Sequence, residues 1–408
     1  MALLRDRVYG PFFFGNLVSN CGNWIHNVAA AVVVFELTDS AVAVGAVTAC
    51  MWAASLLLQP WAGALTDRYD RRRMLIAGQT VALLGAMSIA IASVAAGGAE
   101  ELPGPWPIYI GTLVIGLGVA FSIPAMQALI PALVTDRDLD RAIALNGVTF
   151  NLARGIGPAI AGVILLEADA SLAFSINVAS FAVLLAVMAT IRPRFDREPA
   201  AGDRSVLAGL RWVRADRRAI VLLATMVAIG FATDPINTLT PPMAEDVGGG
   251  EGLVGLMVSG FGAGAVIAAF FVDRIRDLIG RERAASTGLA TLGAAIGAFA
   301  FSEQAAYAVA TLAFAGAGFI VAITSVTTQL QARVPDLLRG RVMALWGVAF
   351  LGTRPVSAGI DGAVADLVSP RAAALTMAVA ALAAALVQDR ESERLAAERP
   401  PELAGTEY

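Results

Sequence analysis

Apolar runs of about 20 residues recur along the whole chain, and a run of that length lets an α-helix cross the hydrocarbon core of a membrane. Of the 408 residues, 57% are hydrophobic and only 15% are charged, too few to cover a soluble domain. The runs lack the period-two alternation of transmembrane β-strands, which excludes a β-barrel. The sequence therefore predicts an all-α polytopic membrane protein. We expect twelve spans, at about 9–37, 41–66, 74–97, 106–131, 142–167, 171–192, 219–244, 252–273, 284–302, 305–329, 341–366 and 370–388.

Charged residues are distributed unevenly about these spans. The chain has no lysine, so its 29 basic residues are all arginines, and 26 of them fall on the same side of the predicted membrane. Cytoplasmic loops are typically rich in basic residues. The asymmetry predicts a multi-pass protein of the inner (plasma) membrane with both termini in the cytoplasm. The loops on the other side are acidic and contain Asp39, Glu100, Glu101, Glu167, Asp169, Glu245, Asp246 and Glu251.

The longest polar interruption, at 192–218, divides the chain into two sets of six spans. We expect an N-terminal six-helix bundle over 1–192 and a C-terminal six-helix bundle over 219–388. The cytoplasmic central loop between them, 193–218, is expected to contain an amphipathic helix with Leu207, Leu210 and Val213 on one side. Residues 389–408 are charged and contain proline, and we expect them to form a poorly ordered cytoplasmic tail.

The two halves are related in sequence. A shift of 200 residues aligns 134–154 with 334–354, with nine identities in 21 positions that end with Arg154 over Arg354. Earlier in each half the shift is 210, and it places Gly45 over Gly255 and Asn27 over Asn237. Duplicated halves of this kind are typical of alternating-access transporters, whose substrate site lies near the membrane midplane between the repeats.

Two motifs point to a known family. GALTDRYDRRRML at 63–75 closely resembles the signature loop of the major facilitator superfamily, and RGIGPAIAG at 154–162 resembles the Gly-Pro motif of its antiporters. SNCGNW, FELTDSAVAVG, FSIPAMQALIPALV, NGVTFNLARGIGPAIAG and INVASFAVLL are together similar to the branch that contains the enterobactin exporter and many drug and metabolite exporters. The chain departs from that branch at Asn23, Ser122 and Met126, where relatives often carry charged residues.

This resemblance implies a fold of two pseudo-symmetric six-helix bundles and roles for both motifs. Charges of the signature loop would lock the cytoplasmic helix ends in one state and release them in the other; the alternative is that they only set topology. The Gly-Pro motif would allow close helix packing, which by itself requires no transport role. The resemblance assigns the cytoplasmic gate to Gly63, Asp67, Arg68, Arg71, Arg72 and Arg73, and the antiporter-like motif to Gly157, Pro158 and Gly162.

The first predicted span carries a polar stripe. Asn16, Asn20, Asn23 and Asn27 are spaced by four, three and four residues, which places them on one face of a helix beside His26. Buried amides in lipid are costly, so this face is expected to meet water or other helices. We predict that the stripe lines a substrate cavity; the alternative is hydrogen bonding between helices. His26 is a candidate for proton coupling because histidine titrates near neutral pH.

The seventh predicted span offers a matching wall in FATDPINTLTPP at 231–242. Asp234 falls deep in the membrane, where an unpaired carboxylate costs about 2.5–3.5 kcal/mol. It is predicted to bind substrate or carry a proton, with Asn237 beside it; the alternative is a structural ion pair. Three prolines, Pro235, Pro241 and Pro242, are expected to break or bend the helix.

Two arginines also lie inside predicted spans. Arg154 and Arg354 are related by the repeat, and Asp361 follows Arg354 by seven residues on the same helix face. The balance of two arginines against Asp234 and Asp361 favours internal ion pairs. The alternative is that the arginines bind an anionic group of the substrate. Asp361 is a further candidate for proton coupling.

The function predicted from these features is secondary active transport, as a proton-coupled exporter of a small amphiphilic drug, siderophore or metabolite. The alternatives are an importer or lipid flippase of the same fold, or a non-transporting receptor. No enzyme is predicted, and no cofactor or metal: a P-loop needs a lysine, and Cys21 and Cys50 both fall within spans. The expected partners are the lipid bilayer, a small-molecule substrate and protons, without nucleic acid. Family analogy implies a monomer.

Overall fold

A computed structural model describes residues 3–66, 69–191, 206–335 and 338–397, and the described residues form helices joined by short loops, without strands. Asp67 and Arg68 of the predicted gate lie outside the described residues, as do 192–205 of the central loop and the end of the tail. Two short 3₁₀ helices occupy Leu3–Arg5 and Asp136–Asp138. The α-helices are α1 (Tyr9–Thr38), α2 (Ala41–Thr66), α3 (Arg71–Ala96), α4 (Trp106–Leu133), α5 (Leu139–Glu167), α6 (Ala170–Thr190), α7 (Val206–Ala215), α8 (Arg217–Thr233), α9 (Pro235–Thr238), α10 (Thr240–Asp246), α11 (Glu251–Ala269), α12 (Val272–Ile279), α13 (Arg283–Phe299), α14 (Ala305–Arg333), α15 (Arg339–Leu351), α16 (Arg354–Leu367) and α17 (Pro370–Ala397).

Within the described residues, nine helices are long and apolar enough to cross a membrane. The other three predicted spans are helical too, but each differs from a simple apolar helix. α1 carries the polar stripe, α13 has only 17 residues, and the eleventh predicted span is divided into α15 and α16. The all-α polytopic fold is confirmed, whereas the count of twelve crossings stays a prediction.

Two predicted spans are interrupted near their middle. The seventh consists of α8, α9 and α10, with Asp234 and Leu239 between them. Pro235 begins α9, and Pro241 lies in the first turn of α10, as expected for residues that have no amide hydrogen to continue a helix. The prediction that these prolines break the helix is confirmed. The eleventh span breaks at Gly352 and Thr353, just before Arg354.

The helices pack in two groups that meet along two lines. In the first group, α1 packs against α5 and α6, and α3 packs against α4 and α6. In the second group, α11 and α13 pack against α14, and α17 packs against α8 and α13. The groups meet where α5 lies against α11 and where α2 lies against α16, which we call the two seams. These seams are equivalent under the sequence repeat.

The two ends of the bundle differ in charge. The acidic end is where α1 ends and α2 begins, and it holds Glu36, Asp39, Glu100 and Glu251; the basic end, opposite, holds Arg71, Arg72, Arg73 and Arg333. Asp216 begins α8 at the basic end and accepts hydrogen bonds from Arg333 and from the backbone amides of Arg218 and Ala219.

Two segments near the basic end extend the bundle. The amphipathic helix expected in the central loop is present as α7, with Val213 buried. α17 continues to Ala397, so the first nine residues of the expected tail are helical rather than irregular. They are held because Glu391 lies 3.2 Å from Arg217 and the hydroxyl of Ser392 accepts from Arg218.

Candidate functional site

A small cavity of about 30 Å³ lies between the two helix groups, lined on α1 and α2 by the halves nearest the acidic end. Asn27 and Trp24 of α1 face it from one group, and Asn237 and Arg354 face it from the other. Its volume admits about two water molecules. Pockets for organic ligands are roughly ten times larger, so this cavity in its present form is too small for an organic substrate.

The polar stripe of α1 divides between two environments. Asn16 donates to Asn146 and to Thr149 on α5, at 2.9 and 3.2 Å, and Asn20 donates to Asn16. These two residues therefore make the interhelical hydrogen bonds of the alternative interpretation. Asn27 lines the cavity together with Asn237, its partner under the repeat. The stripe is a single face in sequence, but only its end nearest the acidic end reaches the cavity.

Asn23 and His26 are not brought to the cavity. Asn23 has a buried Oδ1 without a hydrogen-bond partner among the described residues. His26 is 1% exposed, its Nε2 lies 3.2 Å from the hydroxyl of Thr112 on α4, and its ring packs against Phe174. His26 thus has the surroundings of a core histidine.

Asp234 and Asp361 meet in the interior of the second helix group. Both are fully buried and close enough for their charges to interact, while Oδ1 of Asp234 and both carboxyl oxygens of Asp361 have no hydrogen-bond partner among the described residues. Two ionised carboxylates so close together in a buried site would repel each other, which favours a protonated form for at least one of them. Thr238 donates to Oδ2 of Asp234 at 2.7 Å, and Arg354 is close enough for its charge to stabilise the ionised form of Asp234. We call Asp234 and Asp361 the carboxyl dyad.

Arg354 connects the dyad to the cavity and to the first helix group. It lines the cavity, and its Cζ lies 5.3 Å from the ring centroid of Trp52 on α2. No carboxylate lies within ion-pair distance of it among the described residues. The expected ion pair is therefore a longer-range attraction to Asp234, combined with a cation–π contact across a seam.

Arg154 has no acidic neighbour in the described part of the chain. It is 2% exposed, and its Cζ lies 4.3 Å from the ring centroid of Phe261, 4.5 Å from that of Phe319 and 5.3 Å from that of Trp24. Nε and Nη2 have no hydrogen-bond partner among the described residues. The structure thus contradicts an ion pair for Arg154 and encloses it in aromatic rings.

The antiporter-like motif contacts both α1 and the α5–α11 seam. An added Cβ at Gly157 would lie 3.0 Å from the carbonyl oxygen of Cys21 on α1. One at Gly162 would lie 3.0 Å from the carbonyl oxygen of Gly252 and 3.1 Å from Cα of Gly255, both on α11. Small residues at these positions let the backbones approach closely. Pro158 contributes its carbonyl oxygen to the same seam, beside Gly255.

The described part of the signature loop contacts its own helix group. Gly63 lies within α2. Arg72 donates to the carbonyl oxygens of Met188 and Ala189 at the end of α6, Arg71 donates to that of Ala128 on α4, and the backbone amide of Arg73 donates to Asp70. These bonds fix the start of α3 at the basic end. The gating role of the loop stays a prediction.

Sequence reasoning missed a set of carboxylates at the acidic end. Oxygens of Glu36, Glu100 and Glu251 lie within 4.8 Å of one another, although Glu251 belongs to the second helix group. Burial, and then the charges of Glu251 and two neighbouring carboxylates, raises the pKa of Glu100 above its ordinary value. Nearby, Asp366 of α16 accepts hydrogen bonds from the first residues of α2. The only sequence signal for this set was the acidity of the loops.

Comparison with known proteins agrees with this geometry. The family model described as transmembrane secretion effector matches residues 1–398. The staphyloferrin A transporter of Staphylococcus aureus is 26% identical over 275 residues, which are 66% of this chain and 68% of the relative. An enterobactin exporter of Escherichia coli O1:K1 / APEC is 24% identical over 384 residues, 92% of this chain and 89% of the relative.

Solved transporters share the fold at low sequence identity. The nucleoside transporter NupG superposes with a TM-score of 0.77 at 11% identity, covering 93% of this chain and 98% of its own. An inward-facing bacterial homologue of the lysosomal transporter Spinster superposes with a TM-score of 0.71 at 13% identity, covering 96% and 98%. With its matched length, its fold and its membrane helices, the chain belongs to the transmembrane secretion effector family, and it is a membrane transporter of the major facilitator superfamily rather than an enzyme.

Proposed function

We propose that this protein is a proton-coupled secondary exporter that moves a small amphiphilic molecule, such as a drug, siderophore or secondary metabolite, by alternating access. It would act in the bacterial inner membrane with both termini in the cytoplasm, so the acidic end would face outward. The observation that carries the proposal is the carboxyl dyad, which is buried in the second helix group beside Arg354, a residue that lines the cavity.

The dyad has the properties required of a proton carrier. Two neighbouring carboxyl groups in a buried site cannot both ionise without strong repulsion, so at least one of them keeps its proton. Arg354 attracts the charge that remains and also lines the cavity. A change in cavity hydration as the helix groups separate would alter the stability of the ionised forms and release or admit the proton. Proton movement would thereby be linked to the opening of the cavity to one side of the membrane.

The seam contacts support alternating access, and the relatives support the direction and the type of cargo. Contacts across both seams hold the helix groups together on the acidic side of the cavity: Gly162 meets Gly255, and Gly362 meets Val42. The named exporter carries enterobactin and the other relative staphyloferrin A, which favours export of a small organic molecule.

The test is proton flux in proteoliposomes loaded with a pH-sensitive dye and given a panel of antibiotics, dyes and siderophores. Wild type would be run beside Asp234→Asn and Asp361→Asn, with Asp246→Asn as a matched control because Asp246 is a half-exposed carboxylate of the same helix group. We expect substrate-dependent proton movement in wild type and control, and its loss in both dyad variants.

Other results would contradict specific parts of the proposal. Flux retained in both dyad variants would move coupling away from Asp234 and Asp361. Substrate accumulation that runs with the proton rather than against it would indicate import. Substrate transport that persists after the proton gradient is collapsed, in every variant, would exclude proton coupling altogether.

A further inference from the structure

Arg154 is a buried cation whose charge is not balanced by any acidic residue in the described part of the chain. Its side chain is enclosed by the rings of Phe261, Phe319 and Trp24, which face a cation favourably but carry no net charge. A guanidinium stays protonated even when buried. Arg354 is also close enough to repel it. An arginine inside the membrane needs a counter-charge, and these neighbours do not provide one. We therefore expect a negative group to reach Arg154 in another state of the transport cycle.

The sequence repeat shows how this imbalance arises. Arg154 is equivalent to Arg354 under the 200-residue shift, and under the same shift Ala161 takes the place of Asp361. Under the 210-residue shift, Trp24 takes the place of Asp234. The second helix group thus supplies its arginine with two carboxyl groups. The first helix group has an alanine and an indole at the equivalent positions.

The unpaired atoms of Arg154 match a carboxylate. Nε and Nη2 form one edge of the guanidinium, and this edge takes the two oxygens of a carboxylate in parallel hydrogen bonds. Trp24 connects Arg154 to the cavity, because its ring both lines the cavity and lies 5.3 Å from Cζ of Arg154. A swing of the indole would expose Arg154 to the cavity.

We propose that Arg154 binds a carboxylate on an aromatic ring of the transported molecule, and that Trp24 is the ring that this ligand displaces or stacks upon. The inference rests on the proposed transport function and narrows its substrate class to aromatic acids. The aromatic walls favour a flat ring, and the guanidinium edge selects an anion over its neutral analogue. Arg354, not Arg154, neighbours the dyad, so an anion bound at Arg154 leaves the cation of the proton site in place.

The test uses benzoate as the probe and benzamide as its neutral counterpart of the same shape. Binding is measured by ligand-dependent shifts of thermal unfolding for the purified full-length protein at constant ionic strength. The proteins compared are wild type, Arg154→Gln, Arg154→Lys and the repeat-equivalent control Arg354→Gln. We expect benzoate to bind wild type more tightly than benzamide does.

Loss of the paired hydrogen bonds in Arg154→Gln should weaken benzoate at least about tenfold, because bonds to charged groups are worth about 1.5–3 kcal/mol. Arg154→Lys should weaken it by a smaller factor, since lysine keeps the charge without the fork. Benzamide binding should not change. If Arg154→Gln does not fold, Arg154→Lys alone still tests the site.

Three outcomes would overturn the inference: equal binding of benzoate and benzamide to wild type, including no binding of either; unchanged benzoate binding in both Arg154 variants; or loss of benzoate binding only in Arg354→Gln. The last would place the anion at Arg354 instead. Because binding is measured without transport, its failure is distinguishable from failure of the proposed function. If the proposed function fails but the inference holds, proton coupling will be absent in liposomes while benzoate still binds the purified protein.

Discussion

Asp366 and Ala41 are joined across the α2–α16 seam: the carboxylate of Asp366 accepts the backbone amide hydrogen of Ala41 at 2.7 Å. Its second oxygen accepts from the hydroxyl of Ser40 and the amide of Val42. A carboxylate at this position satisfies amides that the first turn of α2 leaves free, and it complements the helix dipole. One helix group therefore caps a helix of the other. At the equivalent place in the α5–α11 seam, Leu166 packs on Gly252 instead.

Asp366→Ala should shift the protein toward conformations open at the acidic end. Loss of a helix cap costs about 1 kcal/mol. If the cap exists only in the closed state, this corresponds to roughly a fivefold rise in the ratio of open to closed conformations at the acidic end. Distances between spin labels at the acidic ends of α2 and α16 would report the shift. Asp246→Ala, an acidic-end carboxylate that faces Arg371 of its own helix group, is the control and should leave the distances unchanged. An unaltered distribution in Asp366→Ala would mean that the cap does not hold the closed state.

The carboxyl dyad should behave as one unit in proton uptake. Because the ionisation of each carboxyl group depends on its neighbour, Asp234 and Asp361 should titrate as a pair, and the double variant should lose little more than a single one. Proton release on substrate addition, measured for wild type, Asp234→Asn, Asp361→Asn and the double variant, gives the interaction directly. Independent, additive losses would show that the two carboxyl groups titrate separately.

Asp216 should contribute stability that disappears in acid. Burial alone would raise its pKa, but the bonds from Arg333 and from the amides of Ala219 and Arg218 outweigh burial and hold the pKa below the ordinary value of 3.8. The folded state therefore favours the ionised form, and its stabilisation is present above about pH 4 and is lost as pH falls through the lower folded pKa. Asp216→Asn keeps the helix cap but loses the charge that faces Arg333 and the helix dipole, so it should be less stable than wild type at neutral pH by about 0.3–1 kcal/mol.

This pH dependence is measurable as the difference in melting temperature between Asp216→Asn and wild type. The difference should be largest near neutral pH and should shrink toward zero in strong acid. A difference that is constant with pH would assign the effect to packing rather than to the charge of Asp216.

Gly255→Ala should separate α5 from α11. The added methyl group would lie 2.6 Å from the backbone nitrogen of Gly162 and 2.7 Å from the carbonyl oxygen of Pro158, so the backbones must move apart. Overpacking of this kind costs about 1–3 kcal/mol. Gly147→Ala in α5 is the control, because its Cβ would meet nothing within 4 Å. We expect a lower melting temperature and reduced transport in Gly255→Ala only; equal behaviour of both variants would show that the seam tolerates separation.

Much of the architecture follows from local sequence. Apolar runs of membrane-spanning length predict the helices because no other open structure satisfies the backbone in lipid. Pro235 and Pro241 predict the interruption of the seventh span, because proline lacks an amide hydrogen. The alignment of Arg154 with Arg354 reveals the duplicated halves before any contact is known. The boundary of α17 was not predictable in this way, because its last residues are held by Arg217 and Arg218 from another helix.

The sequence did not determine which residues contact one another in the folded protein. Periodicity correctly placed the four asparagines on one face, but a helix face can meet different neighbours along its length, so Asn16 bonds to α5 whereas Asn27 lines the cavity. Charge counting paired two arginines with two aspartates, yet the tertiary structure brings both carboxyl groups together in the second helix group and leaves Arg154 among aromatic rings. The contact of Asp366 with the start of α2 was not predictable either, because it joins residues more than 300 positions apart.

The sequence by itself determined which segments are helical and that two halves correspond, since backbone satisfaction in lipid is a local requirement. Only the tertiary structure decided which buried charges are balanced, because that depends on how helices distant in sequence pack together.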